Sequence, residues 1–164
     1  MALPAAGCSS TTAAARFTLT SPAFQNGGTL PAVYTCDGAG HSPPLAWTDA
    51  PEGTAQFAVL MSTPANDGLK WNWVLYGIPG DVTSLAGGST GVGVAGLTSD
   101  GPALAYSPPC SQGPGAKTYS FTVYALSATP ALSVPPDSVT GQVLTAAIGH
   151  LILSSSELSV TYTR

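Results

Sequence analysis

Side chains able to do chemistry are scarce in this chain. Its 164 residues hold three cysteines, two histidines, four cations and eight carboxylates, so any reactive site must be assembled from a short inventory. His41 and Ser42 are adjacent, and in extended chain neighbouring side chains point to opposite faces, which does not make a nucleophile–base pair. Only a fold that carried a different serine to His41 would do that. No H-E-x-x-H pair is present to hold a catalytic metal. Gly91-Val92-Gly93-Val94-Ala95-Gly96 spells G-x-G-x-x-G, but a dinucleotide site needs a strand before it and a helix opening at its last glycine. Here Leu97-Thr98-Ser99-Asp100-Gly101-Pro102 follows, which is turn chemistry, and the string reads as loop. No nucleophile–base–oxyanion set can be assembled, so a hydrolase is the weakest of the functions considered. The chain reads as non-catalytic, with no cofactor.

The cysteines sort into one and two. Ala5-Ala6-Gly7-Cys8 resembles the cleavage and acylation site of a bacterial lipoprotein, with Ala5 where a larger aliphatic is usual and Met1–Pro4 too short for an apolar signal core. That likeness implies a lipid anchor at Cys8 and export to the periplasm or cell surface. The alternative is an arbitrary chain end. Setting Cys8 aside leaves Cys36 and Cys110, an even pair in an exported chain, or else two buried thiols. If they pair, a tetrahedral zinc site has no thiolates left.

Charged residues make up 7% of the chain, and its formal net charge is −4. So few cations leave no basic stripe for nucleic acid or for an anionic membrane surface. No apolar run reaches the roughly 18 residues of a membrane-spanning helix, so membrane contact is expected only through the anchor at Cys8.

Nineteen glycines and 15 prolines among plentiful apolar residues suit a loop-rich β protein. Residues 1–16 read as a signal remnant and flexible tether, and 17–164 as one domain. Phe17 and Leu19 alternate with Thr18 and Thr20 as a half-buried strand. Ala55–Met61 is nearly all apolar, a strand covered on both faces, and Asn72–Ile78 is similar. Ser62–Lys70 between them, and Leu85–Gln112 after them, read as loops. Tyr119–Leu126 alternates, as does the closing strand through Leu158, Val160 and Tyr162. One helix is expected, capped by Asp137, with Val139, Val143, Ala147, Ile148 and Leu151 at helical spacing and a structural His150 near its end. Many short strands, Gly/Pro turns and one late helix make an all-β sandwich.

The loop Tyr34–Trp47 holds the most specific wording. Cys36-Asp37-Gly38 followed by Ser42-Pro43-Pro44-Leu45-Ala46-Trp47 resembles the bacterial branch of the phosphatidylethanolamine-binding protein family, also called Raf-kinase-inhibitor-like proteins. Phe17–Phe24 is similar to that family's opening strand, Trp71–Pro79 to its central strand, and Pro108-Pro109-Cys110 to its second ligand loop. The resemblance runs from Phe17 to Arg164. It implies a Greek-key β-sandwich with one C-terminal helix packed on it, a small ligand cavity at one end, and Cys36 and Cys110 in loops at that same end.

The family cavity holds a phosphate-like anion through three elements, and this chain departs from each. An Asp-Pro-Asp-Ala-Pro stretch corresponds to Thr63-Pro64-Ala65-Asn66-Asp67. A histidine before an aromatic corresponds to Asn72 and Trp73, and a closing His-Arg-Tyr to Lys117-Thr118-Tyr119. The resemblance therefore implies ligand contacts at Thr63, Pro64, Asn72, Trp73, Pro108, Pro109, Lys117 and Tyr119, with the acid–histidine pair replaced by neutral groups. The function implied is an exported binding protein for a small anionic or polar ligand, its anion pocket degenerate. A protein partner, bound as by a protease or kinase inhibitor, is the alternative.

Overall fold

A computed structural model of the chain describes residues 12–164; Cys8 lies outside the described residues. Two strands organise it, β3 (Gln56–Ala65) and β4 (Gly68–Pro79), which form a hairpin closed by Asn66 and Asp67. Phe57, Val59 and Met61 of β3 face one core and Ala58 and Leu60 a second, which is why this stretch is apolar without alternation. β7 (Lys117–Leu126) pairs with the other edge of β3, and β8 (Ile152–Tyr162) pairs with β7. With β6 (Val94–Ala95) beside β4, the sheet order is β6-β4-β3-β7-β8, antiparallel throughout.

The second sheet is small: β1 (Thr18–Thr20), β2 (Leu45–Thr48) and β5 (Ser84–Leu85) in the order β1-β2-β5. It covers the first core, where Leu19, Leu45 and Trp47 meet Phe57, Phe121 and Val160. Trp47 is buried with its indole N–H donating to the Val82 carbonyl at 3.1 Å, so its one polar atom is satisfied. The result is the two-layer sandwich expected from the sequence.

The strand pair runs further than its composition suggests. Ser62–Ala65, read as loop, continues β3, with Pro64 opposite Leu69. Proline is tolerated there because β7 pairs with β3 only as far as Ser62, so the missing N–H removes no ladder bond on that side. β4 also carries two extra residues. Phe57 and Val59 pair with Ile78 and Leu75, and Gly77, at φ 65°, absorbs one bulge with a backbone that glycine adopts freely. Met61 and Ser62 pair with Trp73 and Trp71, which leaves Asn72 as the bulged residue.

The helix covers the outer face of the large sheet. It is α1 (Gly141–Ile148), shorter and later than the sequence suggests, and Leu144, Ile148 and the preceding Val139 fill the second core. Asp137 is not its cap. Pro136–Ser138 is a 3-10 turn in which the Asp137 carboxylate accepts from the Ser138 hydroxyl. The chain then extends through buried Val139, and Thr140 Oγ1 accepts the Val143 N–H at 3.2 Å.

Gly141 opens α1 directly against the Trp71 ring, where an added Cβ would collide with it. In an open helix, glycine to alanine gains up to about 1 kcal/mol. Forcing a methyl into this contact costs about 1–3 kcal/mol, and the second effect wins. Gly141→Ala should therefore lower the thermal midpoint by roughly 2–8 °C in a circular-dichroism melt. A raised midpoint would show that α1 does not seat on Trp71.

Candidate functional site

The bulge at Asn72 creates the site's polar centre. A bulged residue leaves the ladder and re-aims its side chain. The Asn72 carbonyl accepts the Ser107 N–H at 2.7 Å, and Asn72 Nδ2 donates back to the Ser107 carbonyl at 3.2 Å. This reciprocal pair pins the Tyr106–Pro109 segment to the edge of β4. Ser107 Oγ in turn donates to Asp100 Oδ2 at 2.6 Å.

A second loop is fastened to that segment. The Tyr106 hydroxyl donates to the Tyr34 carbonyl at 2.8 Å, and the Cys36 N–H donates to the Pro109 carbonyl at 3.0 Å. Cys36 and Cys110 form a disulfide across 74 residues of chain. Burial, and then neighbouring Tyr119 and Tyr34, push the Tyr106 phenol well up, so it remains a donor. Arg164 closes this end, with Nη1 donating to Cys110 Sγ and Nε 3.1 Å from the Asp37 carboxylate.

These loops and the β3–β4 hairpin enclose a cleft of about 530 Å³. Six of the eight positions singled out in the sequence line it: Thr63, Pro64, Asn72, Pro108, Lys117 and Tyr119. The other two do not. Trp73, next after the bulge, turns into the inter-sheet core and packs edge-on against Tyr106 at 5.6 Å. Pro109 is buried and contributes the carbonyl that holds Cys36. Lys70, Asp100, Ser107 and Ser111 line the cleft without having been foreseen, and no sequence period marks them.

The polar atoms are unevenly satisfied. Thr63 Oγ1 spends its proton on the Thr118 carbonyl at 2.8 Å. Five buried side-chain polar atoms have no partner among the described residues, and two of them, Asn72 Oδ1 and Ser111 Oγ, belong to this lining. Leaving such an atom unpaired costs about 1–3 kcal/mol. Burial, and then the Asp100 charge, raise the Tyr119 phenol above its ordinary range, which keeps it neutral.

Charge is concentrated here too. The chain has four cations, Arg16, Lys70, Lys117 and Arg164. Lys70 and Lys117 line the cleft, and Arg164 sits on the disulfide beside it. Neither histidine is part of the lining.

His41 instead lines a neighbouring cavity of about 440 Å³ with Ser89, Leu75 and Tyr106. Gly87-Gly88-Ser89-Thr90-Gly91 has the G-x-S-x-G spelling. It lies between the short strands β5 and β6 with no helix after it, so it does not form the strand-to-helix elbow of that chemistry. His41 Nδ1 is 3.1 Å from the Ser42 carbonyl, and no hydrogen bond joins His41 to Ser89 among the described residues.

A two-sheet sandwich with one disulfide-tied cleft at its end is the architecture to be placed. The family model described as phosphatidylethanolamine-binding protein matches residues 20–163, and the chain belongs to that family. It is similar to a UPF0098 protein of Chlamydia muridarum, 38% identical over 151 residues that cover 88% of this chain and 97% of that one. It is 34% identical over 152 residues to the Mycobacterium tuberculosis protein named "Putative lipoprotein LppC", covering 92% and 74% of the two chains. Among solved structures, the Chlamydia trachomatis homologue CT736 superposes with a TM-score of 0.82 at 31% identity, covering 90% of this chain and 97% of that one. The Escherichia coli protein YbcL follows at 0.80 and 26%, covering 92% and 99%.

The disulfide closes a long loop, and loop-closure entropy assigns such a bridge about 4 kcal/mol. Replacing both Cys36 and Cys110 by serine should lower unfolding stability by about 2–4 kcal/mol in a denaturant titration. Thiol counting under denaturing, non-reducing conditions should find neither sulfur free. Two free thiols in protein recovered from an oxidising compartment would remove the tie between the loops.

Proposed function

We propose that this protein is a non-catalytic, exported binding protein that holds a small polar or anionic ligand in the cleft bounded by Thr63, Asn72, Ser111, Lys117 and Tyr119. One observation carries the reading: a cleft lined by Thr63, Asn72, Ser111 and Tyr119 has two of the chain's four cations, Lys70 and Lys117, in its lining, with Arg164, paired to Asp37, beside it. In a chain of net charge −4 that clustering favours a ligand carrying negative charge at the rim. Kinship supports a binding role, and the likeness to a protein named as a lipoprotein supports export.

The cleft has lost the features that would make its anion affinity strong or pH-tuned. Thr63 and Asn72 bring no charge, and the two lysines are exposed. An exposed ion pair contributes up to about 1 kcal/mol and is screened by salt. Sulfate, which does not titrate near neutrality, should bind with millimolar affinity. Lys70→Ala and Lys117→Ala should each weaken it about fivefold, by the same margin of about 1 kcal/mol. With no histidine in the lining, that affinity should be flat between about pH 6 and 8, while Asn72→His should make it rise as pH falls, because the added imidazole gains charge. Calorimetric titration reads all of these outcomes. Micromolar binding indifferent to both lysine changes would place the ligand elsewhere. Native mass spectrometry of gently purified protein tests the binding role itself: a retained small molecule supports it, and a retained polypeptide replaces it with a protein-interaction role.

A further inference from the structure

The Cys36–Cys110 bridge joins two exposed residues, and both line the cleft. Its two sulfurs stand in different electrostatic surroundings. Among the described residues one cation touches a sulfur: Arg164, whose Nη1 donates to Cys110 Sγ at 3.4 Å. Its Nε lies 3.1 Å from the carboxylate of Asp37, the residue that follows Cys36. Cys110 thus has a guanidinium against it, and Cys36 has a carboxylate as its chain neighbour. Opening a disulfide leaves negative charge on the departing sulfur, and the sulfur that carries it better leaves faster. A neighbouring arginine favours a thiolate, whereas a carboxylate opposes one.

The two loops are held by more than the bridge. The Cys36 N–H donates to the Pro109 carbonyl at 3.0 Å, and the Tyr106 hydroxyl holds the Tyr34 carbonyl. The Thr35 hydroxyl donates to the Ala32 carbonyl at 2.8 Å and accepts the Asp37 N–H at 3.2 Å. Cys110 lies between buried Pro109 and buried Ser111. None of these contacts uses a sulfur, so opening the bridge leaves Cys110 beside Cys36.

We propose that this bridge is a reversible exchange site for a small-molecule thiol, captured on Cys36, with Cys110 as the leaving and returning sulfur. The incoming thiolate attacks Cys36 Sγ and forms a new S–S bond there. The electron pair of the broken bond goes to Cys110 Sγ, which departs as a thiolate against Arg164. One disulfide replaces another, so no net oxidant or reductant is consumed. In the reverse step the Cys110 thiolate attacks Cys36 Sγ and expels the captured thiol. While it lasts, the adduct stands in the cleft lining, of which Cys36 is part. This chemistry is independent of the ligand-binding role proposed above.

The test uses 2-mercaptoethanol, which brings no charge besides its reacting sulfur, on native oxidised protein whose Cys8 has been blocked with N-ethylmaleimide. Early samples are trapped with iodoacetamide and peptide-mapped by mass spectrometry. The adduct should sit on Cys36 in about fivefold excess over Cys110, the margin of an exposed charge contact. Arg164→Gln should bring the two positions near parity. It should do so in an Asp37→Asn background as well, where no bared carboxylate repels the incoming thiolate. Removing the free thiol should restore the bridge, read as loss of alkylatable Cys110. An even division in the unaltered chain, or an excess on Cys36 that survives Arg164→Gln, would overturn the assignment. So would a bridge that opens only in denaturant, or an adduct that persists once the thiol is removed.

Discussion

The structure depends on β3 and β4 being buried on both faces. One side of this pair is covered by the small sheet and the other by α1, so two cores share a single hairpin. Such a hairpin tolerates little polarity along its middle, since each buried polar atom needs a partner that neither core supplies. Polar chemistry is therefore pushed to the end where β3 outruns β7 and the ladder is one-sided. Thr63, Pro64 and Asn72 fall at that end, and the cleft forms there.

The bulge at Asn72 turns this geometric freedom into a site. By leaving the ladder, Asn72 can bond the Ser107 backbone with both its own carbonyl and its side-chain amide. That pair sets the loop carrying Cys110, and the disulfide then sets the loop carrying Cys36. The price is one acceptor, Asn72 Oδ1, left without a donor inside the fold. The scaffold and the cleft lining thus meet in a single side chain.

Much of the fold was legible in the sequence. Ala55–Met61 could be read as doubly buried because it lacks alternation, and Tyr119–Leu126 as half-buried because it has it. Counting left Cys36 and Cys110 as an even pair or two buried thiols, and the resemblance placed both at one end, where they form a disulfide. The helix start could not: Pro135-Pro136-Asp137 has the composition of an N-terminus, but tertiary burial of Val139 holds the chain extended until Thr140 caps it. The site was half legible. Thr63, Asn72, Lys117 and Tyr119 were found through the resemblance, whereas Lys70, Asp100 and Ser111 reach the cleft by loop contacts that leave no periodic trace. Trp73, taken from the resemblance, lines the neighbouring cavity with Leu75 and Tyr106 rather than this cleft, because the bulge at Asn72 shifts the alternation of β4.

The central claim is that the cleft bounded by Asn72, Lys117 and Tyr119 holds a ligand rather than solvent alone. A high-resolution crystal structure of the protein recovered from its native host, purified without added polyols or amides, addresses it directly. The account predicts connected density larger than water in the cleft, within reach of the Lys70 and Lys117 side chains. Isolated water peaks throughout the cleft would contradict it.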